Sequence, residues 1–365
     1  MKKQFAIPLA LCILMALLNV IARLSTPFAD FYVARIFPVI TNTFSFISGI
    51  FPFSVGEIMI ILAIILVAVG IPLAVILLIL GKNFRKKTLS TACCVYLSVF
   101  TYILTTETMN CFIMYQCTPF SEKYLSHSGH TRSQLKDLYT LLIDEVNALA
   151  EEVDRDNNNC FVYNGDVNSE ARKSMKKAGE TFSQLKGYYP KAKPIQFSYF
   201  MSQSHLSGIY FPFSLESNYN TDMISSELPE TVCHELAHLK GFIQEDEANF
   251  ISFFATTHCS DDINFQYSGY IEALEYVHNQ IYENNMTDAY YLTDRISEKV
   301  RGDWFKFLPD TYWEDNAEKE VIPTEKVSTV STTAIDTNIK MNGRTEGIES
   351  YSLMVELLLD FYYPE

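Results

Sequence analysis

His234-Glu235-Leu236-Ala237-His238 is the stretch of this chain with the most chemistry in it. Two histidines four residues apart fall on one face of a helix, where both imidazoles can reach a single Zn2+. Glu235, between them, points to the same side, where a carboxylate takes a proton from a metal-bound water. Leu236, Ala237 and Leu239 favour helix, and Gly241 follows closely enough to end it. The spacing therefore predicts a zinc-dependent hydrolytic site, with His234 and His238 as ligands and Glu235 as general base.

A catalytic zinc takes three protein ligands and keeps one position for water. The candidates for the third are Gln244, Glu245, Asp246 and Glu247. Gln244 stands where a metzincin carries its third histidine, and an amide is a poor zinc ligand, so that class is set aside. Of the three carboxylates left, Glu245 or Glu247 is read as the ligand, and Asp246 as orienting a metal-bound histidine or simply solvated. Only six residues separate His238 from Glu245, so a tight turn at Gly241-Phe242 must bring a second helix straight back over the first. Oxyanion stabilisation could come from Tyr210, Tyr219, Tyr267 or His205, and no spacing selects among them. His258 and His278 read as core or surface histidines, and Cys233 as core.

Other elements must position these residues. Pro194–Met201 and Ser207–Phe213 both read as short strands, with Pro212 marking an edge or an end. An edge strand at Gly208, Ile209, Tyr210 and Phe211, just before the histidine helix, could align an extended peptide by main-chain pairing. Residues 131–155, 169–185, 247–258, 268–284 and 288–302 carry helical patterns, and Tyr351–Tyr362 reads as a closing amphipathic helix. Residues 314–337, charged and rich in Ser and Thr, read as a loop. The expected class is α+β: a mostly helical domain with a small sheet, behind a membrane region.

That membrane region is residues 1–108, with apolar runs at about 5–23, 57–80 and 88–107, each long enough to cross a bilayer. The first follows Lys2 and Lys3 as a signal peptide would, yet it lacks a clear small-residue cleavage site and reads as a retained span. Phe28–Ile40, between the first two runs, reads either as an amphipathic interfacial segment or as a simple loop. Lys2 and Lys3, and then Lys82, Arg85, Lys86 and Lys87, belong on the cytoplasmic side. A multi-pass protein of the cytoplasmic membrane follows, with residues 109–365 outside the cytoplasm. Residues 1–108 carry a balance of +5 and the whole chain −15, leaving −20 for the remainder. So acidic a domain excludes nucleic acid as a partner and does not adhere to anionic headgroups. Of its five cysteines, Cys111 and Cys117 are the pair close enough to consider for a bridge.

Two resemblances extend this reading. Glu245-x-x-Ala248-Asn249 resembles an element of glutamate-liganded zinc peptidases, found in the Ste24/HtpX-like and ImmA/IrrE-like groups. It implies Glu245 as the ligand and Asn249 as its support from behind the metal. Phe51–Glu57, Gly208–Phe213, Leu228–His238, Gly241-Phe242 and Glu245–Phe250, with Asn342-Gly343, Gly347, Tyr351 and the Leu-rich end, resemble one bacterial membrane-protein family. This is the zincin-like group known as domain of unknown function 3810. Lys240 and Gln244 depart from its pattern without touching the expected ligands. The resemblance implies architecture and zinc more than a substrate. The expected function is hydrolysis of peptide or protein substrates by a membrane-anchored, gluzincin-like zinc metallopeptidase. The alternatives are a non-catalytic zinc sensor or scaffold, for which Glu235 has no use, and a zinc amidase acting on a non-peptide envelope substrate. The distance in sequence between the motif and the last apolar run argues against intramembrane proteolysis.

Overall fold

The computed structural model describes residues 3–81, 85–126, 129–342 and 353–364. Lys2 and Lys82, used above for orientation, and Gly343, Gly347 and Tyr351 lie outside the described residues. The chain forms two compact units: Met1–Cys117 with Phe211–Glu216, and Thr118–Tyr210 with Ser217–Glu365.

The first unit holds three helices long and apolar enough to cross a membrane, Gln4–Leu24, Val55–Leu80 and Arg85–Gln116. Their apolar side chains, such as Ile13, Leu62 and Ile79, are exposed along the helices, as hydrocarbon-facing residues are. Three polar contacts link the first helix to the third: Gln4 to Ser90 Oγ at 2.7 Å, Cys12 Sγ to Thr101 Oγ1 at 3.3 Å, and Asn19 to Thr108 Oγ1 at 2.7 Å. Both partners advance together along their sequences, so the two helices run parallel. The segment between the first two helices is helical, not a loop. It comprises Thr26–Phe31, a wide turn at Tyr32–Ile36, and Phe37–Ser48. Pro38 enters the last of these at its first turn, where its missing N–H costs no hydrogen bond. No disulfide joins Cys111 to Cys117, so the bridge considered above is not formed in this structure.

The second unit is mostly helical, with a three-stranded sheet. Its long helices are Arg132–Leu149, Val167–Thr181, Leu228–His238, Glu245–His258 and Ile263–Glu283, closed by Met354–Tyr362. Thr131 and Gln134 start the first with a reciprocal capping box. The Leu228–His238 helix packs on Glu245–His258, Ile263–Glu283 and Val167–Thr181, which hold it on several sides. Aromatic rings fill the core beneath: Phe120 lies 4.9 Å from Phe182 and 5.3 Å from Phe250, centroid to centroid.

The sheet places β3 (Glu216–Tyr219) between β1 (Lys193–Pro194) and β2 (Gly208–Phe211). β1 pairs with β3 in parallel, Lys193 opposite Asn218. Two expectations fail here. The strand expected over Pro194–Met201 stops at Pro194, and Ser198–Gln203 is a helical turn; Ser198 Oγ bonds back to Ile195 O and accepts from Thr221 N, fixing a bend that alternation did not reveal. The expected loop at 314–337 is helix from Thr324 to Met341, with Val327 and Ile339 buried. Its threonines bond back to carbonyls one turn earlier, so packing outweighs modest helix propensity. The polar stretch 288–302 divides into a 3-10 segment, Tyr290–Arg295, and a short helix, Glu298–Asp303.

Candidate metal centre

The Leu228–His238 helix carries Pro229 in its first turn, and Gly241, at φ 89°, turns the chain back after it. Only a residue without Cβ adopts that backbone freely. His234 and His238 sit one turn apart with ring centroids 4.7 Å apart and planes at 88°. His238 Nδ1 lies 2.7 Å from Phe242 O. A carbonyl only accepts, so Nδ1 carries the proton and Nε2 keeps a lone pair for a ligand. The turn that reverses the chain therefore also fixes the tautomer of His238.

Glu245 opens the returning helix. Its Oε2 lies 3.1 Å from His234 Nε2 and 3.8 Å from His238 Nε2. Ligands about 2 Å from a tetrahedral zinc stand roughly 3.3 Å from one another, so these separations match a shared coordination shell. Glu247 goes elsewhere: its Oε1 accepts from Phe120 N at 2.7 Å. Asn249, one turn beyond Glu245, donates to Tyr276 Oη at 2.8 Å.

The ligand atoms of His234, Glu235 and His238 also lie mutually within 4.8 Å. Glu235 is 5% exposed. Its Oε2 is buried without a hydrogen-bond partner, whereas Oε1 faces Gly208, whose added Cβ would stand 2.4 Å away. A buried, unmatched carboxylate oxygen costs free energy unless something polar meets it. Two imidazoles, one carboxylate and this orphan oxygen are a donor set suited to zinc and one activated water.

The electrostatics of the metal-free chain agree. Burial pushes the Glu235 carboxyl up to about 8, with Glu245 and Glu230 adding to the rise and His234 opposing it. Burial works against a charged His234, yet the hydrogen bond and charge of Glu245, helped by Glu235 and Glu230, carry it up to about 10. Burial drops His238 to about 4. The carboxylates of Glu245, Glu235 and Glu230 thus favour positive charge at His234, as they would a cation held there. Glu230 was not singled out by the motif. It lies one turn before His234, accepts from Ser252 Oγ, and is buried; its spacing on the helix face was the available signal.

The oxyanion candidates separate clearly. The Tyr210 ring, on β2, lies 5.8 Å from that of His238. Tyr267 is fully buried and donates to Asp303, which also pairs with Arg155 at 2.9 Å. His205 is exposed at a positive φ, and Tyr219 lies on β3. His258 bonds Thr257 and His278 bonds Tyr139, both structural, and Cys233 is core. On the expected substrate strand, Gly208 meets Glu235, Ile209 O accepts from Asn218 at 3.3 Å, and Phe211 belongs to the first unit.

No curated protein and no solved structure matches the chain. A family profile does match, over residues 32–359. The chain belongs to the family described as "Protein of unknown function (DUF3810)".

Proposed function

We propose that this protein is a membrane-anchored zinc metallopeptidase of zincin-like fold, hydrolysing peptide bonds outside the cytoplasm. The observation that carries the reading is the convergence of His234, His238 and Glu245 beside the unpartnered Oε2 of Glu235. His234, His238 and Glu245 would hold Zn2+, which, when bound, acidifies a water and polarises the scissile carbonyl. Glu235 takes the proton from the attacking water at Oε2 and returns it to the leaving amine. Tyr210, the oxyanion candidate whose ring lies beside that of His238, would donate to the developing oxyanion. β2 is an outer strand of the sheet, the position at which an extended peptide adds by main-chain pairing. Phe242 O holds His238 in the ligating tautomer.

The parallel first and third helices support the extracytoplasmic placement. With one helix between them, the chain leaves the membrane on the side opposite its N-terminus, and basic residues mark the N-terminal side as cytoplasmic.

The test uses the full chain in detergent: zinc content, and cleavage of a mixed-sequence peptide library, for wild type and Glu235→Gln. One zinc per chain in both with cleavage only in wild type is the expected result. Zinc in both with cleavage in neither would replace this reading by a sensor or a non-peptide amidase. A folded wild type that takes up no zinc would end it.

A further inference from the structure

One turn before His234, a second set of contacts joins the helices that carry the candidate ligands, all within the second unit. Glu230 is buried there, on the Leu228–His238 helix. Its carboxylate accepts from the hydroxyl of Ser252, a fully buried residue of the Glu245–His258 helix. Its backbone N–H is among those that open a helix without an intrahelical partner. That group donates to Ser268 Oγ at 3.1 Å, on the Ile263–Glu283 helix, and Ser268 in turn donates to Ser226 O. One residue is thus tied by its side chain to one neighbouring helix and by its backbone to another.

The contacts between the two ligand-bearing helices follow one line. His234 meets Glu245 at 3.1 Å. Four residues back on the first helix and seven residues on along the second, Glu230 meets Ser252. Going back on one while going forward on the other keeps them in contact, so the helices run antiparallel. At about 1.5 Å of rise per residue, this contact stands roughly 6 Å from His234 and roughly 10 Å from Glu245 along the respective axes. The turn at Gly241 pins the opposite end, where Phe242 O lies against His238 Nδ1. His234, His238 and Glu245 therefore lie between a pinned turn and a pinned crossing. A turn by itself fixes where two helices join, and leaves their splay and axial slide free further along. The bond between Glu230 and Ser252 removes that freedom, and breaking it strands a buried polar group.

We infer that Glu230 is a positioning residue for the metal centre: through Ser252 it holds the two helices in the register that brings Glu245 to His234 and His238. It acts on the ligands from outside their coordination shell, as hydrogen-bonded supports of metal ligands do. This rests on the zinc reading above, but not on peptide cleavage.

The test measures zinc affinity of the full chain in detergent, by competition with a chromophoric chelator. It compares wild type, Ser252→Ala, Glu230→Ala, their double variant and Glu230→Gln. Each alanine variant is expected to weaken zinc about tenfold, as loss of an outer support does. Ser252→Ala removes a single hydroxyl and carries the test if Glu230→Ala fails to fold. The double variant is expected to be no weaker than Glu230→Ala, because both substitutions delete the same bond. Ser252 Oγ also lies 2.8 Å from Asn249 O. An amide can accept or donate, so Glu230→Gln keeps a partner for Ser252 whichever atom gives the proton. It is expected to stay within about threefold of wild type. A bond that serves the fold alone would lower the urea midpoint of metal-free Ser252→Ala and leave its zinc affinity unchanged, which would overturn the inference. So would a loss of affinity in Glu230→Gln as large as in Glu230→Ala, since charge and not the brace would then be at work. A folded wild type without zinc would end the metal reading and this role with it. Zinc in wild type without cleavage would end the peptidase reading, and the affinities would still decide the role of Glu230.

Discussion

Gly208→Ala isolates the contact between β2 and Glu235, the strand and the base of the proposed reaction. Gly208 has no positive φ, so alanine meets no backbone penalty there and the effect is steric. The new methyl would stand 2.4 Å from Glu235 Oε1, 2.6 Å from Cγ and 2.8 Å from Cδ. Restoring ordinary contact at about 3.4 Å requires the methyl and the carboxylate to separate by roughly 1 Å. Because Glu235 is buried on a packed helix, the carboxylate end must swing or the strand must lift. A 1 Å misplacement of a catalytic group costs about a hundredfold in rate, or roughly 2.7 kcal/mol in the barrier. His234, His238 and Glu245 are not touched, so one zinc per chain is retained. The assay is kcat on a cleaved peptide with zinc content measured on the same sample. A kcat within threefold of wild type, or loss of zinc alongside activity, would refute the reasoning.

Glu245→Ala and Glu247→Ala should fail in opposite ways. The first should lose zinc while staying folded. The second should keep zinc but strand the buried Phe120 N–H, costing about 1–3 kcal/mol in urea unfolding; zinc loss from the second alone would reverse the assignment. The metal-free chain should lose stability as pH rises from about 6.5 to 8. Burial and then neighbouring carboxylates push Glu227 up to about 8, and burial pushes Glu275 up to about 7. Each side chain keeps some exposed surface, which tempers the size of the effect, not its sign. Their protons bind the folded chain more tightly than the unfolded one, so the stabilisation is complete near pH 4.5 and falls as pH passes each folded value. His238, lowered to about 4, acts only below its unfolded value near 6.5 and leaves that window clear. Urea midpoints with a chelator should decline over the window, and less steeply in Glu227→Gln; a rise would contradict the assignment. Cys160, exposed in the second unit, should react with a membrane-impermeant maleimide in intact cells expressing the protein, and labelling only after lysis would reverse the orientation.

Much of the site was legible because it is local. Histidines one turn apart, Glu235 between them and a glycine to end the helix are short-range facts, and a helix converts them into one face whatever surrounds it. The three apolar runs were legible for the same reason: length and composition suffice. The two strands diverged. Gly208–Phe211 pairs as a strand, but Pro194–Met201 could not be told from a turn, because side-chain bonds from Ser198 decide its bend. The Ser/Thr-rich helix at Thr324–Met341 was misread because its propensity is weak and only packing of Val327 and Ile339 settles it.

What the sequence by itself determined, then, is the chemistry on offer: a zinc-type helix face, a base, two candidate carboxylates, and helices suited to a bilayer. Which carboxylate converges was decided by the turn at Gly241, since two residues on one helix differ by about 200° in direction and only the returning path selects between them. The orphan oxygen of Glu235 and the bare approach of Gly208 to it were likewise set by tertiary structure. Each joins residues distant in sequence, and no local periodicity carries a distance of that kind.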